Sequence, residues 1–111
     1  NIFLIEPQSY LEFIYLMDTS YLILTDSGGV QEEAPSLGKP VLLLRKNTER
    51  PEAVEVGAVK IVGTSKSKIL ESVEELLNNT RLYKKMSKTK NPYGDGKSSL
   101  RICKILSKVQ V

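Results

Sequence analysis

Histidine is absent from the 111-residue sequence, and cysteine occurs once, at Cys103. Without histidine the chain lacks the commonest general base and the commonest metal ligand. A single cysteine excludes an internal disulfide and fits a reducing compartment such as the cytoplasm. Cys103 falls in an apolar helical pattern, which predicts a buried, inert thiol rather than a nucleophile. The chain is therefore an incomplete catalyst at best.

Long apolar runs are absent as well. The longest, "YLIL" and "VLLL", fall far short of the roughly 20 residues that a membrane span requires, so we expect no membrane contact. An apolar content of 41% and a charged content of 26% are typical of one soluble globular domain.

The net charge of +3 is unevenly distributed. Residues 1–80 carry 7 basic and 12 acidic side chains, a net −5, and residues 81–111 carry 9 basic and 1 acidic, a net +8. A basic segment can bind nucleic acid, but no aromatic interleaving or nucleic-acid motif accompanies this one. We therefore expect no nucleic-acid partner. Instead, we expect the lysines to lie on the solvent-facing sides of helices and to add to the positive electrostatic potential around a small anionic ligand.

Strands alternate with helices along the chain. The predicted strands are Ile2–Ile5, Tyr21–Thr25, Pro40–Leu44 and Ala58–Gly63. The predicted helices start at Ser9, span Val30–Gly38, make one turn within residues 45–57, run on from Ser65, lie near Arg81–Lys88 and fall within residues 97–109. This order predicts a Rossmann-like α/β fold, a parallel sheet with helices on both faces in three αβα layers.

The stretch "TDSGGVQEE" (Thr25–Glu33) follows the second predicted strand, where ligands bind in sheets of this kind. Gly28 and Gly29 allow backbone N–H groups to approach a phosphate closely, and the start of the next helix adds donors and a positive dipole end. Ser27 contributes a hydroxyl donor. The turn thus indicates a diphosphate site, although a strand–Gly–Gly–helix turn also occurs where only tight geometry is needed.

Two further residues extend this site. Glu33, about one and a half turns into the helix, repels phosphate but accepts hydrogen bonds from vicinal ribose hydroxyls. Arg50 follows the next strand, at the same edge of the sheet, where a guanidinium can pair with a diphosphate through two N–H groups. The alternative for Arg50 is a surface ion pair with a nearby glutamate. Together these residues indicate a nucleoside diphosphate.

Residues 25–57, "TDSGGVQEEAPSLGKPVLLLRKNTERPEAVEVG", closely resemble the signature of the non-hydrolysing UDP-N-acetylglucosamine 2-epimerases of bacteria and archaea. The stretches "IEP" and "NPYGDG" resemble the same family. The resemblance implies that residues 1–111 form part of the C-terminal UDP-binding domain of a GT-B fold. It also implies a preceding N-terminal domain that carries the acid/base carboxylates, a family histidine located before Asn1, and missing first strands of the C-terminal domain.

By the same resemblance, Ser27, Gly28 and Gly29 hold the diphosphate, Glu33 the ribose and Arg50 the phosphates. Gln8 and Phe13 fall where the family contacts uracil, and a core position is the alternative for Phe13. The implied reaction converts UDP-N-acetylglucosamine to UDP-N-acetylmannosamine by elimination and re-addition of UDP. No catalytic residue in this chain, no metal and no redox cofactor is implied.

Several alternatives stay open at this point. A GT-B glycosyltransferase uses a similar Glu–ribose and helix–diphosphate arrangement, and a non-catalytic UDP-sugar binding module is another alternative. The expected partners are UDP-N-acetylglucosamine or UDP and the N-terminal domain, with a homodimer as one option for assembly. The choice between the hydrolysing and non-hydrolysing reactions depends on residues outside this sequence.

Overall fold

A parallel sheet of three strands organises the protein, whose computed structural model describes residues 1–110. In chain order the elements are α1 (Tyr10–Thr19), β1 (Ile23–Thr25), α2 (Gly28–Glu33), a 3-10 helix (Ala34–Leu37), β2 (Val41–Leu43), α3 (Pro51–Glu55), β3 (Val59–Ile61), α4 (Lys66–Asn78), α5 (Thr80–Ser87) and α6 (Ser98–Leu106). The strands follow one another in the order β1–β2–β3, and both pairings are parallel.

The central strand β2 is buried on both faces, and its three side chains are all 0% exposed. Val41 and Leu43 pack on one face with residues of α1, α2 and α3, while Leu42 packs on the other with residues of α4 and α5. Successive side chains of a strand point to opposite faces, so an uninterrupted apolar run suits a strand covered on both sides. The predicted αβα layering with a parallel sheet is confirmed.

Local signals start and end several elements where the sequence predicts. The backbone N–H of Ser9 donates to Glu12 Oε2 at 3.1 Å, as expected of the residues that begin α1. Gly38 ends the 3-10 helix in a left-handed conformation, with φ of 67°, and its N–H donates to the Pro35 carbonyl. The chain can therefore turn directly into β2.

Two predictions about the ends of the chain are wrong. Residues 2–5 form no strand, and their side chains are 61–98% exposed. No strand within residues 1–110 lies beside them, and a strand without a partner is not stable. Cys103 is exposed rather than buried, because the apolar side chains of α6 have no layer packed over them within the described residues.

The exposed ends also set the shape of the molecule. The radius of gyration is 16.7 Å, against about 13 Å expected for a compact domain of this length. On α6, the side chains of Leu100, Ile102, Ile105 and Leu106 are between 55% and 68% exposed. None of the helices in residues 1–110 is long and apolar enough to cross a membrane.

Candidate functional site

Two loops meet at the carboxyl edge of the sheet. The first joins β1 to α2 and carries Ser27, and the second, residues 44–50, joins β2 to α3 and ends at Arg50. Because β1 and β2 are parallel neighbours, with Thr25 opposite Leu43, both loops leave the sheet at the same edge. This is the edge at which open α/β sheets bind their ligands.

Ser27 caps α2. Its backbone is extended, and its Oγ accepts a hydrogen bond from the Val30 N–H at 3.4 Å, while its own N–H donates to Thr25 Oγ1 at 3.1 Å. The capping bond uses Oγ as an acceptor, so the hydroxyl proton is still available to a ligand. The N–H groups of Gly28 and Gly29, in the first turn of α2, have no acceptor within the helix.

The guanidinium of Arg50 lies against the first glycine of this turn. A Cβ added to Gly28 would lie 3.7 Å from Arg50 Nη2, so the gap between them is about one side-chain atom wide. On its other side Arg50 Nε donates to Glu32 Oε1, and this bond raises the pKa of Arg50. The ion-pair alternative for Arg50 is therefore confirmed, and it leaves the terminal nitrogens directed towards the turn.

Glu49 introduces a charge that the sequence pattern did not predict. Its Oε1 would lie 2.8 Å from a Cβ on Gly28, and its Oε2 accepts from Arg45 at 2.7 Å. A hydrogen bond from its own backbone, followed by the charge of Arg45, lowers the pKa of Glu49. An ionised carboxylate at this point repels phosphate, so an anion at Gly28 requires Glu49 to move aside.

Glu33 ends α2 beside the first residue of α1. Its Oε1 accepts a hydrogen bond from the Tyr10 hydroxyl at 2.9 Å, and this bond together with the charge of Glu33 raises the pKa of Tyr10. A cleft of about 440 Å³ opens here, lined by Glu32, Glu33, Tyr10 and Tyr93 among others. The Glu33 carboxylate thus accepts a hydrogen bond from a hydroxyl group of α1.

Of the two residues predicted to contact uracil, Gln8 lies just before α1 and Phe13 lies within it. The Gln8 side-chain amide donates to the Glu6 carbonyl at 2.7 Å, and Phe13 is 40% exposed. The core alternative for Phe13 is therefore wrong. Within residues 1–110 no hydrogen bond joins Gln8 to Ser27, Glu33 or Arg50. The connection between α1 and the rest of the site runs through Tyr10.

Besides Glu49 and Tyr10, the polar residues near the site that were not predicted from the sequence include Gln31, Thr48 and Tyr93. Gln31 is 0% exposed and hydrogen-bonds both Ser27 and Thr48, and Tyr93 reaches the backbone of Arg50 from the loop after α5. Gln31 lies inside the recognised stretch and Tyr93 inside "NPYGDG", but no spacing in the sequence connects them. Within residues 1–110 no group of three or more His, Cys, Asp or Glu side chains is arranged so that it could bind a metal ion.

Comparisons with known proteins identify one family. The family model described as UDP-N-acetylglucosamine 2-epimerase matches residues 1–107. A UDP-N-acetylglucosamine 2-epimerase of Yersinia pestis is 59% identical over 111 residues, which are 100% of this chain and 30% of the relative. The chain thus spans less than a third of the length of the curated relatives it matches.

Solved structures show the same fold. The UDP-GlcNAc 2-epimerase of Neisseria meningitidis, bound to UDP-GlcNAc, matches with a TM-score of 0.89 at 56% identity, over 95% of this chain and 29% of that one. MnaA of S. aureus, in a co-structure with UDP, also gives 0.89, at 52% identity, over 94% of this chain and 28% of that one. These neighbours identify the sheet as part of a GT-B type fold. The chain belongs to the UDP-N-acetylglucosamine 2-epimerase family.

Proposed function

We propose that residues 1–111 are the C-terminal UDP-binding part of an enzyme that converts UDP-N-acetylglucosamine to UDP-N-acetylmannosamine. The observation that carries the proposal is the contact between Arg50 and Gly28 at the carboxyl edge of the sheet, in a chain whose relatives are these epimerases. The relatives from N. meningitidis and S. aureus bind UDP-GlcNAc and UDP, respectively.

In this proposal the diphosphate binds between the Ser27 turn and Arg50. Ser27 donates its hydroxyl proton, Gly28 and Gly29 donate their backbone N–H groups, and Arg50 supplies the terminal nitrogens of its guanidinium. The short gap between Gly28 and Arg50 Nη2 supports this arrangement, since one ligand group reaches both. Glu49 has to move away from Gly28 for the phosphates to bind there, because one of its oxygens lies against that glycine while the other is paired with Arg45.

The nucleoside binds on the side of α1. Glu33 accepts from the ribose hydroxyls, and its contact with the Tyr10 hydroxyl supports this role, since a carboxylate that holds one hydroxyl has the geometry to hold another. Gln8 and Phe13 contact uracil, and the exposure of Phe13 supports an aromatic face open to a ligand.

The reaction proceeds by anti elimination of UDP to a 2-acetamidoglucal and re-addition with the opposite configuration at C2. Ser27, the glycine amides and Arg50 stabilise the charge that develops on departing UDP. Residues outside this sequence, in an N-terminal domain, move the C2 proton. We place the enzyme in the cytoplasm, a reducing compartment that suits a chain with one cysteine, and a homodimer remains one option for its assembly.

Product analysis of the full-length protein tests the proposal. With UDP-N-acetylglucosamine as the sole substrate, we expect UDP-N-acetylmannosamine to accumulate to equilibrium. A glycosyltransferase, given no acceptor other than water, would release UDP and free N-acetylglucosamine or leave the substrate intact, and a binding module would leave it unchanged. Either result would refute the epimerase assignment.

A further inference from the structure

The main chain of Arg50 is held by hydroxyl groups on both sides. Its N–H donates to Thr48 Oγ1 at 2.9 Å, and its carbonyl accepts from the Tyr93 hydroxyl at 3.1 Å. The same Tyr93 oxygen accepts the Ala53 N–H at 3.2 Å, which belongs to the first turn of α3. Arg50 itself has φ −122° and ψ 62°, outside the helical region, so helix geometry does not hold it in place.

Thr48 is connected in turn to the Ser27 turn. Its hydroxyl donates to Gln31 Oε1 at 2.6 Å, and Gln31 Nε2 donates to the Ser27 carbonyl at 3.1 Å. Gln31 is 0% exposed, so neither end of its amide has water as a substitute partner. A polar group buried without a partner costs about 1–3 kcal/mol. This cost favours the distance between the Ser27 turn and the Arg50 loop at which both the oxygen and the nitrogen of the Gln31 amide keep their hydrogen bonds.

Tyr93 is fixed independently of this chain of bonds. Asn91 Nδ2 donates to the Glu32 carbonyl at 3.0 Å, and Asn91 Oδ1 accepts the Tyr93 N–H at 2.8 Å. Burial raises the pKa of Tyr93, so its hydroxyl stays protonated and able to donate at neutral pH. The loop after α5 is thereby attached to α2 and to the start of α3 at once.

We propose that Thr48 and Tyr93 are positioning residues for the diphosphate site: their hydroxyls, with Gln31 as the bridge to the Ser27 turn, hold Arg50 at its distance from Gly28. This inference rests on the proposed function, which gives Arg50 its phosphate role. In this assignment each hydroxyl acts through the main chain of Arg50, and the Tyr93 ring, which also lines the cleft beside Glu33, is retained in Tyr93→Phe. Displacing a charged group by about 1 Å is enough to weaken what it contacts, so loss of either hydroxyl should act on the phosphates and spare the nucleoside.

The test compares the dissociation constants of UDP and uridine, measured by NMR titration of the 111-residue chain. We expect Tyr93→Phe and Thr48→Val each to lower the preference for UDP over uridine by about tenfold, with uridine affinity unchanged within about twofold. Thr48→Ser keeps the hydroxyl and should retain the preference. Tyr83→Phe is the matched control, because it deletes a hydroxyl bonded to the Tyr21 carbonyl instead.

The outcomes are separable. Folded Tyr93→Phe and Thr48→Val chains that keep the wild-type preference for UDP would overturn the inference. So would unfolding of both, since the hydroxyls would then serve stability. The proposed function fails on a different result: a wild-type chain with no preference for UDP over uridine, or one whose preference is not lowered by Arg50→Ala.

Discussion

The Glu33 carboxylate is assigned to the ribose alone, so its removal should affect only ligands that contain a ribose. Glu33→Ala should weaken UDP binding and leave pyrophosphate binding nearly unchanged, because the carboxylate addresses ribose hydroxyls through bonds of about 1.5–3 kcal/mol each. Calorimetry with both ligands measures the two losses. Glu55→Ala, which removes an exposed carboxylate at the end of α3, is the control. Equal losses for UDP and pyrophosphate would remove the ribose assignment.

Single residues show where sequence patterns stop being informative. Ser27, the two glycines, Glu33 and Arg50 were found because they lie in short segments next to predicted strands. The Tyr10 contact with Glu33 spans 23 residues and the Tyr93 contact with Arg50 spans 43, so both depend on how helices and loops pack. A tyrosine in a Pro/Gly loop carries no local mark of a partner that far along the chain.

Alanine substitutions at the two glycines of the first turn of α2 test whether the space beside Gly28 is used in binding or matters only for folding. Gly28→Ala should lower UDP affinity, because its Cβ would take up the space beside Arg50, 3.7 Å from Nη2, and would lie only 2.8 Å from Glu49 Oε1. Gly29→Ala is the control, since its Cβ would meet nothing closer than Ser27 Oγ at 3.9 Å.

The two alanine variants should differ in UDP affinity but not in thermal stability. Both glycines are helical, with no positive φ, so alanine at either position stabilises the helix by up to about 1 kcal/mol. Thermal unfolding and UDP titration of the two variants provide the comparison. Similar UDP affinities in both would show that the space beside Gly28 is not used by the ligand.

The loop before α6 is joined to that helix by an ion pair whose titration is predictable. Arg101 donates two hydrogen bonds to Asp95, at 2.6 and 2.8 Å, and these lower the pKa of Asp95 below its usual 3.8. Arg101→Gln should raise that pKa towards 3.8, with some lowering kept by the Lys97 N–H. An NMR pH titration of the Asp95 carboxyl carbon measures it.

The lowered pKa of Asp95 determines how the contribution of this ion pair to stability changes with pH. The pair stabilises the loop above about pH 4, where Asp95 is ionised in both states, and loses this effect as the pH falls through the native pKa. The effect is small, since both side chains are at least half exposed. Lys104→Gln removes the same charge elsewhere on α6 and should leave the Asp95 titration in place. An unchanged pKa in Arg101→Gln would show that the pair does not persist in solution.

The core elements were predictable because each bears its own signal. "VLLL" reads as a strand buried on both faces, and Ser9 with Glu12 as a helix start, without knowledge of any other part of the chain. The segment Ile2–Ile5 has the same apolar character, yet it forms no strand, because a strand exists only beside another strand. The same holds for Cys103: an apolar helical stripe predicts burial only where another layer covers it.

At the scale of the whole molecule, apolar surface is concentrated at both ends of the chain and on the edge strand. Residues 2–5, Leu24 on β1 and the apolar side chains of α6 are all at least 42% exposed, although the centre of the sheet is fully buried. Exposed apolar surface and an open strand edge favour association. The residues proposed for the diphosphate lie beside the buried centre of the sheet, whereas Gln8 and Phe13 lie in the exposed N-terminal segment.

The groups present in the chain lead to a prediction about its chemistry. The 111-residue chain should bind UDP weakly, and it should not exchange the C2 proton of UDP-N-acetylglucosamine. Proton transfer at C2 needs a base on one face of the sugar and an acid on the other, each worth typically 10²–10⁴-fold in rate. The chain has no histidine, and Glu33 is occupied with Tyr10 and, in the proposal, with ribose.

The groups at the carboxyl edge of the sheet assist a different step, because Ser27, the glycine amides and Arg50 lower the cost of breaking the bond to UDP and do nothing for C2. Incubation of the sugar nucleotide with the purified chain in deuterated buffer, followed by mass spectrometry, separates the two steps. The full-length protein should incorporate one deuterium at C2 under the same conditions. Incorporation by the 111-residue chain above the protein-free blank would mean that it contains an acid or base which the proposed assignment leaves out.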